Sequence, residues 1–432
     1  MDQTSFEVKA YPDMWKGLGM DVARFDKARQ MLGEAYRKTF LAQPDRPQEM
    51  AYFDNLIAEI HGGRVAELLA AKKEGRPVVG TFCVYVPEEI ILAAGGVCVG
   101  LCGGSQGSIP DAEKVLPRNI CPLVKSAFGF KAGRICPYFQ VVDFVCGETT
   151  CDAKKKTWEL LDRLVPTHVM EIPQMKRVRD RALWLEEVRD FKAKLEEVSG
   201  RPVTREGLAG AIRIMNSKRQ ALQRLTRLRA ATPAPISGKD ALLIEQIAFY
   251  DEPQRFAARL DVLCDELETR VAQGVGAKAA SAPRVLLAGA PMALPNWKAH
   301  HLLETAGAVV VGEESCVGTR YFKDLVEESA ADLEAQLAAL TDRAMRIDCA
   351  CFTPNLERLD QILKEYRQAN AQGILHYSLQ FCHTYNIEEV KVREMCQQEG
   401  IPYLAVESDY SPEDVGALQT RIEAFLEQIR GE

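Results

Sequence analysis

The stretch RPVVGTFCVYVPEEIILAAGGVCVGLC, Arg76 to Cys102, decides the fold class. Its first part is a short β-branched apolar run, the pattern of a strand buried on both faces. PEEIILAAG (Pro87–Gly95) then predicts a helix, with Pro87 suited to the first turn and Glu88 and Glu89 at the positive end of the helix dipole. A second apolar run, GVCVGLC, follows at once. Strand, helix and strand within 27 residues describe a parallel unit. DFVCGETTC and THVMEIP extend the same alternation to about residue 175, which predicts an open α/β domain over 71–175.

On either side the pattern changes. Residues 1–70 read as a helical N-terminal segment, with apolar positions at helical spacing around Phe40 to Leu69. Residues 176–280 read as a helical connector. It contains ALWLEEVRDFKAKLEEV and LAGAIRIMNSKRQALQRLTRL, broken at Gly200-Arg201-Pro202 and Pro233-Ala234-Pro235. Its charges read as a solvated face, and GVGAKAASAP reads as a linker. From 281 to 432 a second domain begins, with RVLLAGAP, AVVVGEESC, GILHYSLQFC and IPYLAVESD as strands. The fold class is therefore α/β, with two Rossmann-like parallel-sheet domains. The second repeats the outline of the first: Cys102 and Cys316, Cys121 and Cys351, and Cys151 and Cys382 fall at comparable places.

A net charge of -7 argues against nucleic acid as the main partner, since phosphate binding needs a basic surface. No run approaches the roughly 18–20 apolar residues of a membrane span, and the N-terminal sequence lacks signal-peptide character. A cytoplasmic location is expected. There, thirteen cysteines point to metal or redox chemistry, because reducing compartments seldom keep structural disulfides. Cys83, Cys102, Cys151, Cys316 and Cys382 fall at the carboxyl ends of strands, where open α/β sheets place their ligands. Cys121 and Cys351 stand before helices, and Cys136 in a loop. Cys98, Cys146, Cys264 and Cys396 read as core residues. For the strand-end group two readings stay open, cluster binding or mixed packing. Zinc fits less well, since no pair of C-x-x-C knuckles occurs.

PEEIILAAG, LPRNICPLVKSAFGF, ICPYFQVVDFVCGETTCDAKKKTWELL, LQFCHTYN and IPYLAVESDYS together resemble the 2-hydroxyacyl-CoA dehydratase and benzoyl-CoA reductase superfamily. The resemblance covers nearly the whole chain, and the additional cysteines are similar to its double-cubane branch. It implies an iron–sulfur site between the two domains. One 4Fe-4S cubane is expected on Cys121, Cys151 and Cys382. A second, joined in an 8Fe-9S double cubane, is expected on Cys136, Cys316 and Cys351, with Cys83, Cys102 and Cys349 in reserve. Ala290 stands where the resemblance expects a cysteine.

The resemblance also implies an ATP-hydrolysing 4Fe-4S activator as electron donor, a homodimer, and reduction of a small-molecule substrate. No Walker A motif occurs in the chain, so ATP hydrolysis is assigned to the partner. Glu148 is a candidate proton donor and His383 a candidate hydrogen-bond donor to cluster sulfur; for each a structural role stays open, that of a satisfied buried side chain in the case of His383. Asp152 reads as a helix cap, with proton relay as the alternative. Lys154 to Lys156 read as a solvated face or as a site for phosphates or an acidic partner. Two alternatives remain: a 2-hydroxyacyl-CoA dehydratase component with one 4Fe-4S cubane, and a non-enzymatic iron–sulfur scaffold.

Overall fold

In the computed structural model, which describes residues 6–431, the apolar runs form eight strands. β1 (Val78–Thr81), β2 (Val97–Gly100), β3 (Phe144–Glu148) and β4 (Thr167–Met170) make one sheet, in the order β2-β1-β3-β4. β5 (Arg284–Gly289), β6 (Val309–Glu314), β7 (Gly373–Leu379) and β8 (Tyr403–Ser408) make the other, in the order β6-β5-β7-β8. Every pairing is parallel. The two sheets therefore share one topology. In each, the chain steps from the first strand to one side and then returns to the other, leaving a crevice beyond the first and third strands.

Packing explains where glycine interrupts these strands. At Gly147 in β3 an added Cβ would lie 2.6 Å from the Trp158 ring. That indole also donates from Nε1 to the Glu148 carbonyl at 3.0 Å. Helix Asp152–Leu161 is thereby pressed onto the sheet. Gly289 ends β5 at φ +125°, and a Cβ there would fall 2.1 Å from the Tyr377 carbonyl oxygen of β7. Only glycine relieves that approach.

The N-terminal segment is helical, with Val22–Tyr36, Met50–Ala58 and Gly63–Lys73 its main elements. The connector forms helices Val178–Ser199, Arg205–Arg229, Gly238–Ile247 and Pro253–Ala272. Its charges are not all solvated, which corrects the sequence reading. Arg219 reaches back to Glu89 of the helix after β1 at 2.6 Å, both side chains fully buried. Ten residues on, Arg229 clasps Glu313 of β6 at 2.5 Å, again fully buried. One long helix thus bolts both sheets through buried ion pairs. Glu89 is spent there and not only on a helix dipole. Pro87 stands just before its helix, which runs Glu88–Ala93. Among the described residues no helix is long and apolar enough to cross a membrane.

Candidate functional site

A cavity of about 920 Å³ opens where the carboxyl ends of both sheets face one another. Eight cysteines line it: Cys83, Cys102, Cys121, Cys151, Cys316, Cys349, Cys351 and Cys382. Cys83, Cys102 and Cys316 each sit two residues beyond β1, β2 and β6. Cys151 and Cys382 follow β3 and β7 by three residues, and each immediately precedes a helix. Cys121 precedes helix Pro122–Ala132, whose opening proline fixes the entry angle. Before Cys382 the backbone makes a left-handed step at Phe381, φ +59°. A non-glycine residue seldom adopts that conformation, so the loop is held against strain. Cys349 and Cys351 occupy a turn, and the next helix starts only at Glu357. Cys351 is therefore not the helix-initiating residue that its sequence position suggested.

The sulfurs fall into two adjoining groups. Cys121 and Cys382 face one another, and the interaction of the two thiols raises that of Cys121 and lowers that of Cys382. Cys151 lies beside Cys382, with its sulfur accepting the Lys154 backbone N–H at 3.5 Å. In the second group the free thiol of Cys316 neighbours those of both Cys83 and Cys349, and Cys349 neighbours Cys351. Cys349 is within electrostatic reach of Cys382, so the groups are neighbours. Among the described residues no three Cys, His, Asp or Glu close tightly enough to hold a single ion. The sulfurs instead line a wide space from both sides, a donor set suited to a body larger than one ion.

Cys136 lies elsewhere. It precedes helix Pro137–Val141, it is not among the cavity-lining residues, and burial pushes its thiol up to about 11. Cys102 lines the cavity, but its sulfur is turned onto the Phe82 carbonyl at 2.6 Å. Ala290 continues β5, and its N–H is taken by the Tyr377 carbonyl at 2.8 Å. Cys146, Cys264 and Cys396 are fully buried in packed apolar clusters, and half-buried Cys98 faces Thr81.

The polar residues also resolve. Glu148 is fully buried and neither carboxyl oxygen has a partner. Burial first, then the negative charge of Cys83, pushes its carboxyl up to about 8. Lys154 lines the cavity and is no solvated face. Burial works to lower its ammonium, but Cys83, Glu148, Cys102 and Cys151 together hold it well above the usual range. No sequence signal separates Lys154 from its neighbours, except that it is third after Cys151 on a helix. Lys155 and Lys156 do face outward, paired with Asp152 and Glu159. Asp152 is not the cap assigned from sequence, because the Cys151 sulfur takes that place and Asp152 is exposed. His383 is likewise exposed, at the cavity mouth, and not a buried histidine.

Comparison with known proteins places the chain in a family. Residues 83–429 match the family described as 2-hydroxyglutaryl-CoA dehydratase, D-component. The chain is 37% identical over 361 residues to the putative dehydratase subunit YjiM of Escherichia coli, covering 83% of this chain and 93% of that one. It is 21% identical to the (R)-phenyllactyl-CoA dehydratase beta subunit of Clostridium sporogenes, over 83% of this chain and 93% of that subunit. It is 20% identical to a benzoyl-CoA reductase subunit of Thauera aromatica, over 82% and 91%.

Proposed function

Because this chain belongs to the 2-hydroxyglutaryl-CoA dehydratase, D-component family, we propose that it is an iron–sulfur reductase accepting low-potential electrons from an ATP-hydrolysing 4Fe-4S activator. The observation that carries the reading is the pair of adjoining sulfur groups drawn from both sheets. In it, Cys121, Cys151 and Cys382 hold one cubane. Cys316, Cys349 and Cys351, with Cys83 beside them, hold a second, giving an 8Fe-9S double cubane. Cys136 leaves the ligand set because it does not line the cavity. When bound, such a group supplies one-electron chemistry at low potential.

The chain's own residues do the rest. Glu148 holds a proton at neutral pH in a dry position beside Cys83. Lys154 balances the negative charge that thiolates bring into a buried space. The exposed lining residues are Asp152, Lys155, Val169, Glu171, Gln174, Phe381 and His383. Lys155 is already paired with Asp152 at 2.7 Å, so this mouth does not attract a polyanionic thioester. A small neutral or cationic molecule enters more easily. Relatives named as subunits of larger enzymes support assembly with partners, here a second copy and the activator.

The second reading is a dehydratase component with one 4Fe-4S cubane, favoured by the names of four dehydratase-subunit relatives. Anaerobic reconstitution with iron and sulfide separates the two. The double cubane gives about eight irons per chain and the single cubane about four. Cys349→Ser should lower the iron content and Cys136→Ser should leave it unchanged. The reverse result would return Cys136 to the site. Stoichiometric zinc without iron would remove both readings. Turnover with activator and ATP, offering hydrazine or acetylene in one arm and a 2-hydroxyacyl-CoA in the other, decides the reaction.

A further inference from the structure

The two sulfur groups differ in what hydrogen-bonds to them. Arg320 is fully buried, and its Nη1 donates to the Cys316 sulfur at 3.5 Å and to the Tyr385 hydroxyl oxygen. With that oxygen engaged as an acceptor, the Tyr385 hydrogen is free to point at Cys349, whose sulfur is 3.6 Å away. The Tyr85 hydroxyl is 3.6 Å from the Cys351 sulfur and has no other hydrogen-bond partner among the described residues. Each of these three sulfurs therefore has its own side-chain donor.

These donors are fixed in advance. Glu314 binds Arg320 at 2.6 Å and Arg358 at 2.8 Å, and the Gly289 carbonyl takes Arg320 Nη2 at 2.6 Å. Both guanidiniums lie against the Tyr385 ring, 5.1 and 5.2 Å from its centroid. The ring cannot swing its hydroxyl away without breaking a buried charge network.

In the other group no buried arginine or tyrosine among the described residues hydrogen-bonds to a sulfur, and the Lys154 ammonium, which acts on Cys151 by charge, also acts on Cys83 beside the Cys316 group. Cys121 and Cys151 meet backbone N–H groups, and Cys382 meets the Tyr385 backbone N–H and, at 3.9 Å, the Thr384 hydroxyl. Tyr410 stands near Cys121 and Cys382, but its buried hydroxyl bonds to neither.

A donor to a cluster sulfur stabilises the more negative, reduced form and raises the potential. We propose that Arg320, Tyr385 and Tyr85 are positioning residues that make the Cys316–Cys349–Cys351 half the resting place of an added electron. The Cys121–Cys151–Cys382 half stays at lower potential. The step is the gain of one electron from a low-potential protein donor, with no bond made and no proton moved. This inference rests on the iron–sulfur reading above.

The test is a stepwise anaerobic reduction of the iron-loaded full-length protein, followed by electron paramagnetic resonance. Wild type is compared with Tyr385→Phe, Tyr85→Phe and Tyr410→Phe. Iron content should be equal in all four. In Tyr385→Phe and Tyr85→Phe, the higher-potential wave alone should move down. The reduced-to-oxidised ratio at fixed poise should fall about tenfold, or 59 mV for one electron. Tyr410→Phe should not move it. Full iron with unmoved waves in both first variants would overturn the inference and leave the iron–sulfur reading intact. Loss of iron from those variants would also overturn it, since the tyrosines would then hold the group and not tune it. A wild type that takes up no iron would overturn the underlying reading itself.

Discussion

Replacing Glu148 by glutamine should stabilise the metal-free protein, and by an amount that grows with pH. The carboxyl is fully buried without a partner and is raised from 4.5 to about 8. In the unfolded chain it ionises above about pH 4.5, whereas in the fold it keeps its proton until about pH 8. Between those values the native state binds one more proton than the unfolded state, so stability must fall as pH rises. At 1.36 kcal/mol per pKa unit, the cost is about 3 kcal/mol at pH 7 and levels off near 5 kcal/mol above pH 8. A glutamine keeps the shape and a buried polar group but has no charge to lose. The Glu148→Gln protein should therefore match wild type at pH 4.5 and outlast it increasingly up to pH 8. Urea unfolding of both apo proteins under anaerobic conditions, at four or five pH values, measures the gap. A difference that does not change with pH, or that favours wild type at pH 8, would refute the argument. Confirmation would mean that the chain tolerates a destabilising acid beside its cavity, a cost characteristic of functional groups.

Other outcomes follow from the packing. Arg229→Met leaves Glu313 buried without its strongest partner, and loss of about 3–5 kcal/mol is expected in the same urea assay; a loss under 1 kcal/mol would show the pair to be dispensable. Arg219 lies ten residues away, about 15 Å along the helix, so Arg219→Met should add its own loss nearly independently, and a double variant no worse than either single would contradict this. Gly289→Ala forces a Cβ onto the Tyr377 carbonyl and should cost about 1–3 kcal/mol, read as a lowered melting temperature. Cys264→Ser, far from the cavity, should keep full iron content after reconstitution; a clear loss would question the separation of packing and ligand cysteines.

Much of this arrangement is legible in the sequence. β-branched runs at Val78 and Val309 announce parallel strands, because strands covered on both faces have little use for polar residues. The strand-end cysteines are legible for a related reason, since topology alone puts such ends at a crevice. What fails to show is everything that depends on direction. The proposed ligand set takes in Cys83 and Cys349 and leaves out Cys136, the reverse of their ranking from sequence, because neighbouring letters do not say which way a sulfur points. Cys83 carries a usable signal, as it follows β1, one of the two strands that flank the crevice. Arg219 and Arg229 look solvated because a periodic charged helix reads the same whether its arginines meet water or a buried glutamate. Glu148 keeps its ambiguity, for burial without a partner is invisible in sequence.

The division of the sulfurs between the two sheets also bears on how the protein is made. Cys83, Cys121 and Cys151 are synthesised first, and Cys316 comes 165 positions after Cys151. At about 5–20 residues per second, roughly 10–30 s separate the two sets of thiols on the ribosome. For that interval the early cysteines have no counterparts across the cavity and nothing to bind jointly. On the iron–sulfur reading proposed above, loading comes after translation of β7, and any oxidant present during the wait meets unguarded thiols. A layout that shares its donors between distant parts of one chain thus ties the site's assembly to the redox state of the cell at the moment of birth.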